Sequence, residues 1–259
     1  MNAIRMACTI AMTTAVLLTG AAPLAIAEGR FGLAVGADYS TGKYGGTQST
    51  DTTYIPVIGR YETDAWLFKV TVPYVSITGP GTVVGGDRPT VIQGAGTARR
   101  TESGVGDVVG AVTWSAIQTE GFFLDLTAKV KFATGDEAAG LSTGKNDYSV
   151  QIDAFKPFGS VTPFVGVGYR KYGDPVGLDL RNALFASAGV SWKASAKMSL
   201  GLSVDYRDAI VANKDPIVEA TPFLSWKFDD RNKVQVYAVH GFTDASTDWG
   251  GGVLLLHTF

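Results

Sequence analysis

Few residues in this chain are equipped for covalent or metal chemistry. Among 259 residues there is one cysteine, Cys8, and two histidines, His240 and His257. Zinc sites and iron–sulfur clusters need three or four such ligands, so neither is expected, and no cofactor is expected. A serine hydrolase needs a serine beside a histidine. His240 has no outward serine clearly beside it, and His257, two residues before the last position, lies at the periplasmic end, where a serine–histidine couple would not face the outer leaflet. Asp136, Glu137, Asn146 and Asp147 carry oxygens that a calcium ion would accept, yet loop carboxylates are ordinarily just solvated, so metal: none is the expectation. Gly104-Val105-Gly106 opens no helix and is no phosphate-binding loop.

The charged residues are more informative. Asp38, Lys69, Asp107, Asp125, Lys129, Lys131, Asp153, Arg170, Lys193, Asp205, Arg207, Glu219 and Lys227 all fall on the polar side of segments that alternate apolar and polar residues. Seven are cationic and six anionic. Such a mixed wall points to a water-filled interior without strong ion selectivity. Each of these residues either braces the wall through cross-strand pairing or lines a solute path. The spacing places Arg207 near Glu219 and Lys129 within diagonal reach of Asp153.

The elements that carry these charges read as strands. Trp66, Phe68, Val70, Val72 and Tyr74 share one face, against Lys69 and Thr71. Phe122 to Phe132 and Met198 to Tyr206 repeat the period-two pattern. Twelve segments follow, at about 29–40, 50–61, 65–78, 105–116, 121–134, 146–156, 160–172, 181–193, 196–208, 217–228, 232–243 and 247–259. Each is long enough to cross a bilayer when tilted, and the count is even, as a bacterial single-chain barrel requires. Tight turns near Thr63, Gln118, Gly159, Ser195 and Asp230 alternate with longer polar loops, the longest from 79 to 104. That loop, with Asp87, Arg88, Arg99, Arg100 and Glu102, is equally consistent with a plug and with a surface loop whose arginines meet lipopolysaccharide phosphates.

Four of the five tryptophans, Trp66, Trp114, Trp192 and Trp226, fall at the short-turn rim. Tyr39, Tyr74, Tyr148, Tyr169 and Tyr206 fall at the other. Two aromatic girdles suit the two interfaces of a bilayer, and a soluble sandwich has no cause to sort aromatics by strand end. The expected fold is therefore all-β: a transmembrane antiparallel up-and-down β-barrel of about twelve strands. Unpaired backbone is too costly in lipid to leave an edge open, so the strand around Phe31–Tyr39 must pair with the one around 251–259.

Residues 1–27 read as a signal peptide: Arg5, an apolar run from Ala7 to Gly20, and Ala25-Ile26-Ala27 as the cleavage site. Residues 28–259 then form a single outer-membrane domain with no cysteine. Lys+Arg number 22 against 24 Asp+Glu, which gives no basic excess for binding nucleic acid. Phe259 ends the last alternating strand like the terminal signal that barrel-assembly machinery reads, although His257 departs from the usual apolar residue.

Ser103-Gly104-Val105-Gly106-Asp107, then Lys131-Phe132-Ala133-Thr134-Gly135-Asp136 and Gly140-Leu141-Ser142-Thr143-Gly144-Lys145-Asn146-Asp147-Tyr148, resemble the strand-end motifs of the outer-membrane family named for the meta-pathway of phenol degradation. The resemblance covers about residues 100–259, and more loosely the rest. It implies an outer-membrane β-barrel transporter, tied in some members to uptake of aromatic or other hydrophobic compounds. The expected function is passive passage of small solutes across the outer membrane of a Gram-negative bacterium, with outer-membrane lipid and lipopolysaccharide around it. A structural or adhesive barrel with a filled lumen is the alternative, and an outer-membrane lipid hydrolase a weaker one.

Overall fold

The computed structural model describes residues 29–84, 90–93 and 99–259. The proposed signal peptide, Asp87 and Arg88 lie outside these residues. Among the described residues there are fifteen strands and no helix. The wall begins with β1 (Arg30–Gly42), β2 (Thr50–Glu62) and β3 (Trp66–Gly79). A small hairpin, β4 (Gly81–Val84) and β5 (Thr90–Gln93), forms a separate sheet. The wall resumes with β6 (Arg100–Val105), β7 (Val108–Gln118), β8 (Phe123–Phe132), β9 (Asp147–Phe155) and β10 (Val161–Lys171). It is completed by β11 (Ala183–Lys193), β12 (Met198–Arg207), β13 (Ile217–Lys227), β14 (Asn232–Gly241) and β15 (Trp249–Thr258).

Every wall strand pairs antiparallel with its neighbours, and β1 closes on β15 from Gly32↔Thr258 to Thr41↔Trp249. β6 and β7 both pair with β3, β6 along its Tyr74–Gly79 end and β7 along Trp66–Thr71. Together they make one wall position, so the barrel has twelve. The fourth segment therefore starts at Arg100, earlier than its pattern suggested, and is broken at Gly106–Asp107. The break is held by one backbone bond, Gly106 N–H to the Pro73 carbonyl at 2.9 Å, and by side chains. Val108 N–H donates to Thr134 Oγ1 at 2.9 Å, and Thr134 Oγ1 donates to the Gly106 carbonyl at 3.1 Å.

Burial is inverted relative to a soluble protein. Val70, Val150, Val165 and Leu255 are more than half exposed, while Thr71, Ser203 and Gln235 are wholly buried. That is the pattern of a barrel whose outside meets lipid. The girdles stand where the sequence places them. Trp66 stacks on Trp114 at 6.1 Å at the short-turn rim, and all five tyrosines of the opposite rim face outward.

Candidate functional site: the lumen and its closed mouth

Residues 79–84 and 90–93 turn inward from the wall. Gly79, at φ +151°, takes the chain out of β3 so closely against Thr50 that a Cβ there would lie 2.5 Å from Thr50 Oγ1. Gly81 N–H then donates to that oxygen at 3.3 Å. Neighbouring residues of a strand point to opposite faces, and this hairpin is apolar on both. Val83 and Val91 pack with Tyr44, Tyr54, Val75, Ile77 and Leu141. Val84 packs with Tyr172, Leu180, Ala183 and Ile210, with Ile92 against them. The hairpin thus spans the mouth from the β2–β3 wall to the β10–β11 wall. Val83 N–H donates to the Gly140 carbonyl at 3.0 Å, and Arg207 Nη1 donates to Thr90 Oγ1 at 2.7 Å. Within the 79–104 loop, residues 79–84 and 90–93 turn inward as a plug would, while 100–104 belong to the wall strand β6. Arg99 is turned back onto the wall, donating to Asp51 at 2.7 Å and to the Ser49 carbonyl at 2.8 Å. Burial pushes the Tyr44 hydroxyl up to about 12, so this ring stays neutral within the plug cluster. Beside the hairpin a shallow cleft, open to solvent, runs along Ile210, Val211, Lys214 and Ile217.

Below the plug the charges are buried inside the cylinder. Lys131, 3% exposed, lies 2.8 Å from Asp107 and 3.3 Å from Asp147, with Thr143 Oγ1 at 3.2 Å. Asp107 also accepts from the N–H groups of Thr134 and Gly135, at 3.1 and 3.0 Å, and so ties the break in the fourth strand to the loop after β8. Asp147 accepts from Gly173 N–H at 3.0 Å, Asn146 from Ala133 N–H at 2.9 Å and Asp136 from Ala139 N–H at 3.1 Å. Three of the four possible calcium ligands are therefore engaged with the protein itself.

Asp38 accepts from the Tyr237 hydroxyl, and Asp153 from Gln151 Nε2 at 2.8 Å. Asp125, Lys69, Lys129 and Arg170 are buried too, Arg170 beneath the rings of Tyr172 and Phe185. Lys227 reaches Asp230 at 3.0 Å at the short-turn rim, where Lys193 is exposed. The register refines two expected pairings. Asp205 stands directly opposite Glu219, which is the diagonal neighbour of Arg207; Arg207 faces Ile217 and reaches the plug. Ser149, not Asp153, lies across from Lys129, though Lys129 is close enough for its charge to act on Asp153.

Sequence reasoning weighed Asp147 as a loop calcium ligand and not as a lumen charge, and it passed over the buried Arg60–Glu62 pair and Lys233. Arg60 and Glu62 alternate with outward Gly59 and Tyr61, so the signal was present in the 50–61 segment and one residue beyond. It also passed over the inward aromatics. Phe164 pairs with Gly189, Phe185 with Gly168, Phe223 with Gly201 and Tyr237 with Gly252. Each ring lies flat across its glycine, which keeps it on the wall and out of the lumen. A Cβ on Gly201 would sit 2.0 Å from Phe223 Cζ. Gly201→Val is expected to drive that ring inward, costing about 1–3 kcal/mol and lowering conductance; urea unfolding in micelles and bilayer recording check the two effects.

His240 stacks on Trp249 at 4.2 Å and its Nδ1 contacts the Asp248 carbonyl at 2.9 Å. His257 Nδ1 contacts Asn232 Oδ1 at 2.8 Å. Both histidines are thus held by partners other than serine.

The model of the family described as "Putative MetA-pathway of phenol degradation" matches residues 27–259. Among solved structures, the chain is similar to the COG4313 outer membrane channel from Pseudomonas putida F1, at 14% identity and TM-score 0.69, over 93% of this chain and 100% of that one. It is also similar to the KdgM porin, at 10% identity and TM-score 0.54, over 88% and 99%. The NanC porin gives 8% identity and TM-score 0.52, over 88% and 98%. No curated protein matches the sequence. At these identities the structural likenesses establish the twelve-stranded barrel fold.

Proposed function

The chain belongs to the MetA-pathway of phenol degradation family, and from that premise we propose that it is an outer-membrane channel for passive uptake of small solutes in a Gram-negative bacterium, aromatic and other hydrophobic compounds included. The observation that carries this reading is the closed cylinder with an apolar exterior and a charged, polar interior. Lys69, Asp125, Lys129 and Asp153 are buried on that inner face, where water and a polar solute would meet them. The solute passes the hairpin at the mouth and moves along the charged residues of the wall. The lipopolysaccharide leaflet surrounds the tyrosine girdle, the inner leaflet the tryptophan girdle, and Phe259 presents the assembly signal. The protein is a conduit and not an enzyme.

The hairpin across the mouth favours a second reading, a structural barrel with a filled lumen. Reconstitution separates the two. The channel reading predicts discrete conductance steps in planar bilayers and swelling of proteoliposomes in small solutes. Folded protein giving neither would establish the filled barrel.

A further inference from the structure

We propose that Tyr44 is a movable bolt across the mouth, and that the bond from Lys214 to the Gly45 carbonyl is the catch that holds it shut. This rests on the channel reading and adds to it the device that admits solute. Tyr44 belongs to the loop between β1 and β2, not to the hairpin. Its ring is 7% exposed and packs with Val83 and Val91 of the hairpin and with Tyr54 of β2. It lies over Gly42, the last residue on the inner face of β1, where a Cβ would meet Tyr44 Cζ at 3.0 Å. The same ring lines the shallow cleft between the hairpin and the 208–217 segment. Withdrawing it widens that cleft toward the lumen.

The backbone that carries the ring is strained. Among the described residues, two that are not glycine have φ in the left-handed region, Tyr44 at 49° and Asn213 at 59°. That conformation is costly for an ordinary side chain, and asparagine tolerates it better than tyrosine. The two residues adjoin the two ends of one hydrogen bond. Tyr44 precedes Gly45, Asn213 precedes Lys214, and Lys214 Nζ donates to the Gly45 carbonyl at 2.8 Å. β14 and β15 stand between β13 and β1 in the wall, so this bond passes over the 242–248 loop, whose Ala245 lines the cleft below. Lys214 and Gly45 are both exposed, so water competes for the bond. The stem of the 208–216 loop is firm: Arg181 N–H donates to the Ile210 carbonyl at 2.8 Å, Leu184 N–H to Asp208 at 3.0 Å, and Leu180 bridges to Val211. The turn that carries Tyr44 is closed by Gly46 N–H to the Lys43 carbonyl at 2.8 Å. The moving part is therefore the β1–β2 loop, and the 208–216 loop is its keeper. Strain stored where one exposed bond releases it marks a switch rather than a scaffold. When the catch opens, Tyr44 relaxes to negative φ and its ring leaves Val83 and Val91; burial of the ring draws it back.

The test is planar-bilayer recording of the whole barrel, read as the fraction of time spent open. Lys214→Met is expected to raise that fraction about fivefold, the worth of one hydrogen bond. Asn213→Gly relieves the keeper in the shut form and should lower the fraction about twofold, whereas Asn213→Ala adds strain there and should raise it. Thr47→Cys with Asp215→Cys, two exposed positions on the facing loops, supplies a lock. Joined by a flexible bismaleimide in a Cys8→Ser background, this pair should abolish openings, while the same protein before cross-linking opens as the parent does. Heat-modified gel mobility verifies folding, and the comparison before and after cross-linking uses one folded protein, so it decides even if a point variant fails to fold. Openings indifferent to Lys214→Met and to the cross-link would overturn the bolt and leave the channel reading standing. No conductance from any variant, the barrel lacking residues 80–94 included, would overturn the channel reading and the bolt with it.

Discussion

Replacing residues 80–94 with a short Gly-Ser linker is expected to raise single-channel conductance by roughly threefold or more, because a twelve-stranded wall without an internal plug leaves an aqueous path wider than an eight-stranded one. The hairpin belongs to neither wall by backbone pairing, since β4 and β5 pair only with each other. It is held by two apolar clusters and a few hydrogen bonds, notably Arg207 to Thr90 and Val83 to Gly140. Removing it should leave the twelve wall positions intact, so heat-modified gel mobility stays native while conductance rises. A milder change, Arg207→Ala, cuts one anchor and should increase brief openings without altering the fully open level. Unchanged conductance after excision would show that the constriction lies deeper, among the charges.

Lys131→Met is expected to destabilise the barrel by about 3–5 kcal/mol, the usual effect of removing one partner from a buried ionic group. The ammonium lies between Asp107 and Asp147, and without it two buried carboxylates face each other uncompensated. Asp107 also holds the N–H groups of Thr134 and Gly135, so the loss spreads to the break in the fourth strand. Urea unfolding in micelles measures it. Asp107→Asn together with Lys131→Met removes the charge imbalance and should recover part of the loss. Recovery of nothing would assign the effect to packing.

Much of this architecture is readable in advance because period-two alternation and rim aromatics are local signals repeated a dozen times. Lipid imposes them on each strand separately, so Phe68, Val70 and Val72 betray the outside without knowledge of any partner. Register is not local. Whether Glu219 faces Arg207 or Asp205 depends on how the 208–216 loop is taken up, and a shift of two residues preserves the alternation while changing each neighbour. The break at Gly106–Asp107 is hidden for a related reason. Its bonds come from Pro73 and from Thr134 and Gly135, about thirty residues away on either side.

The plug illustrates a third limit. Val83, Val84, Val91 and Ile92 are apolar residues in a polar loop, a sign that the loop is covered, but a short hairpin apolar on both faces shows no amphipathic pattern. Only the two opposing walls reveal what it fills. The inward aromatics evade notice likewise, because Phe164, Phe185 and Phe223 read as exceptions until each is seen lying over its glycine.

The closed cylinder with lipid outside and water inside is tested most directly by scanning single cysteines through β9 in a Cys8→Ser background, with a fluorophore on each and both brominated lipid and aqueous iodide as quenchers. The account predicts strict alternation: Tyr148, Val150 and Ile152 positions quenched by lipid, Ser149, Gln151 and Asp153 positions untouched by it and reached only from the lumen. Lipid quenching at both sets, or at neither, would contradict it.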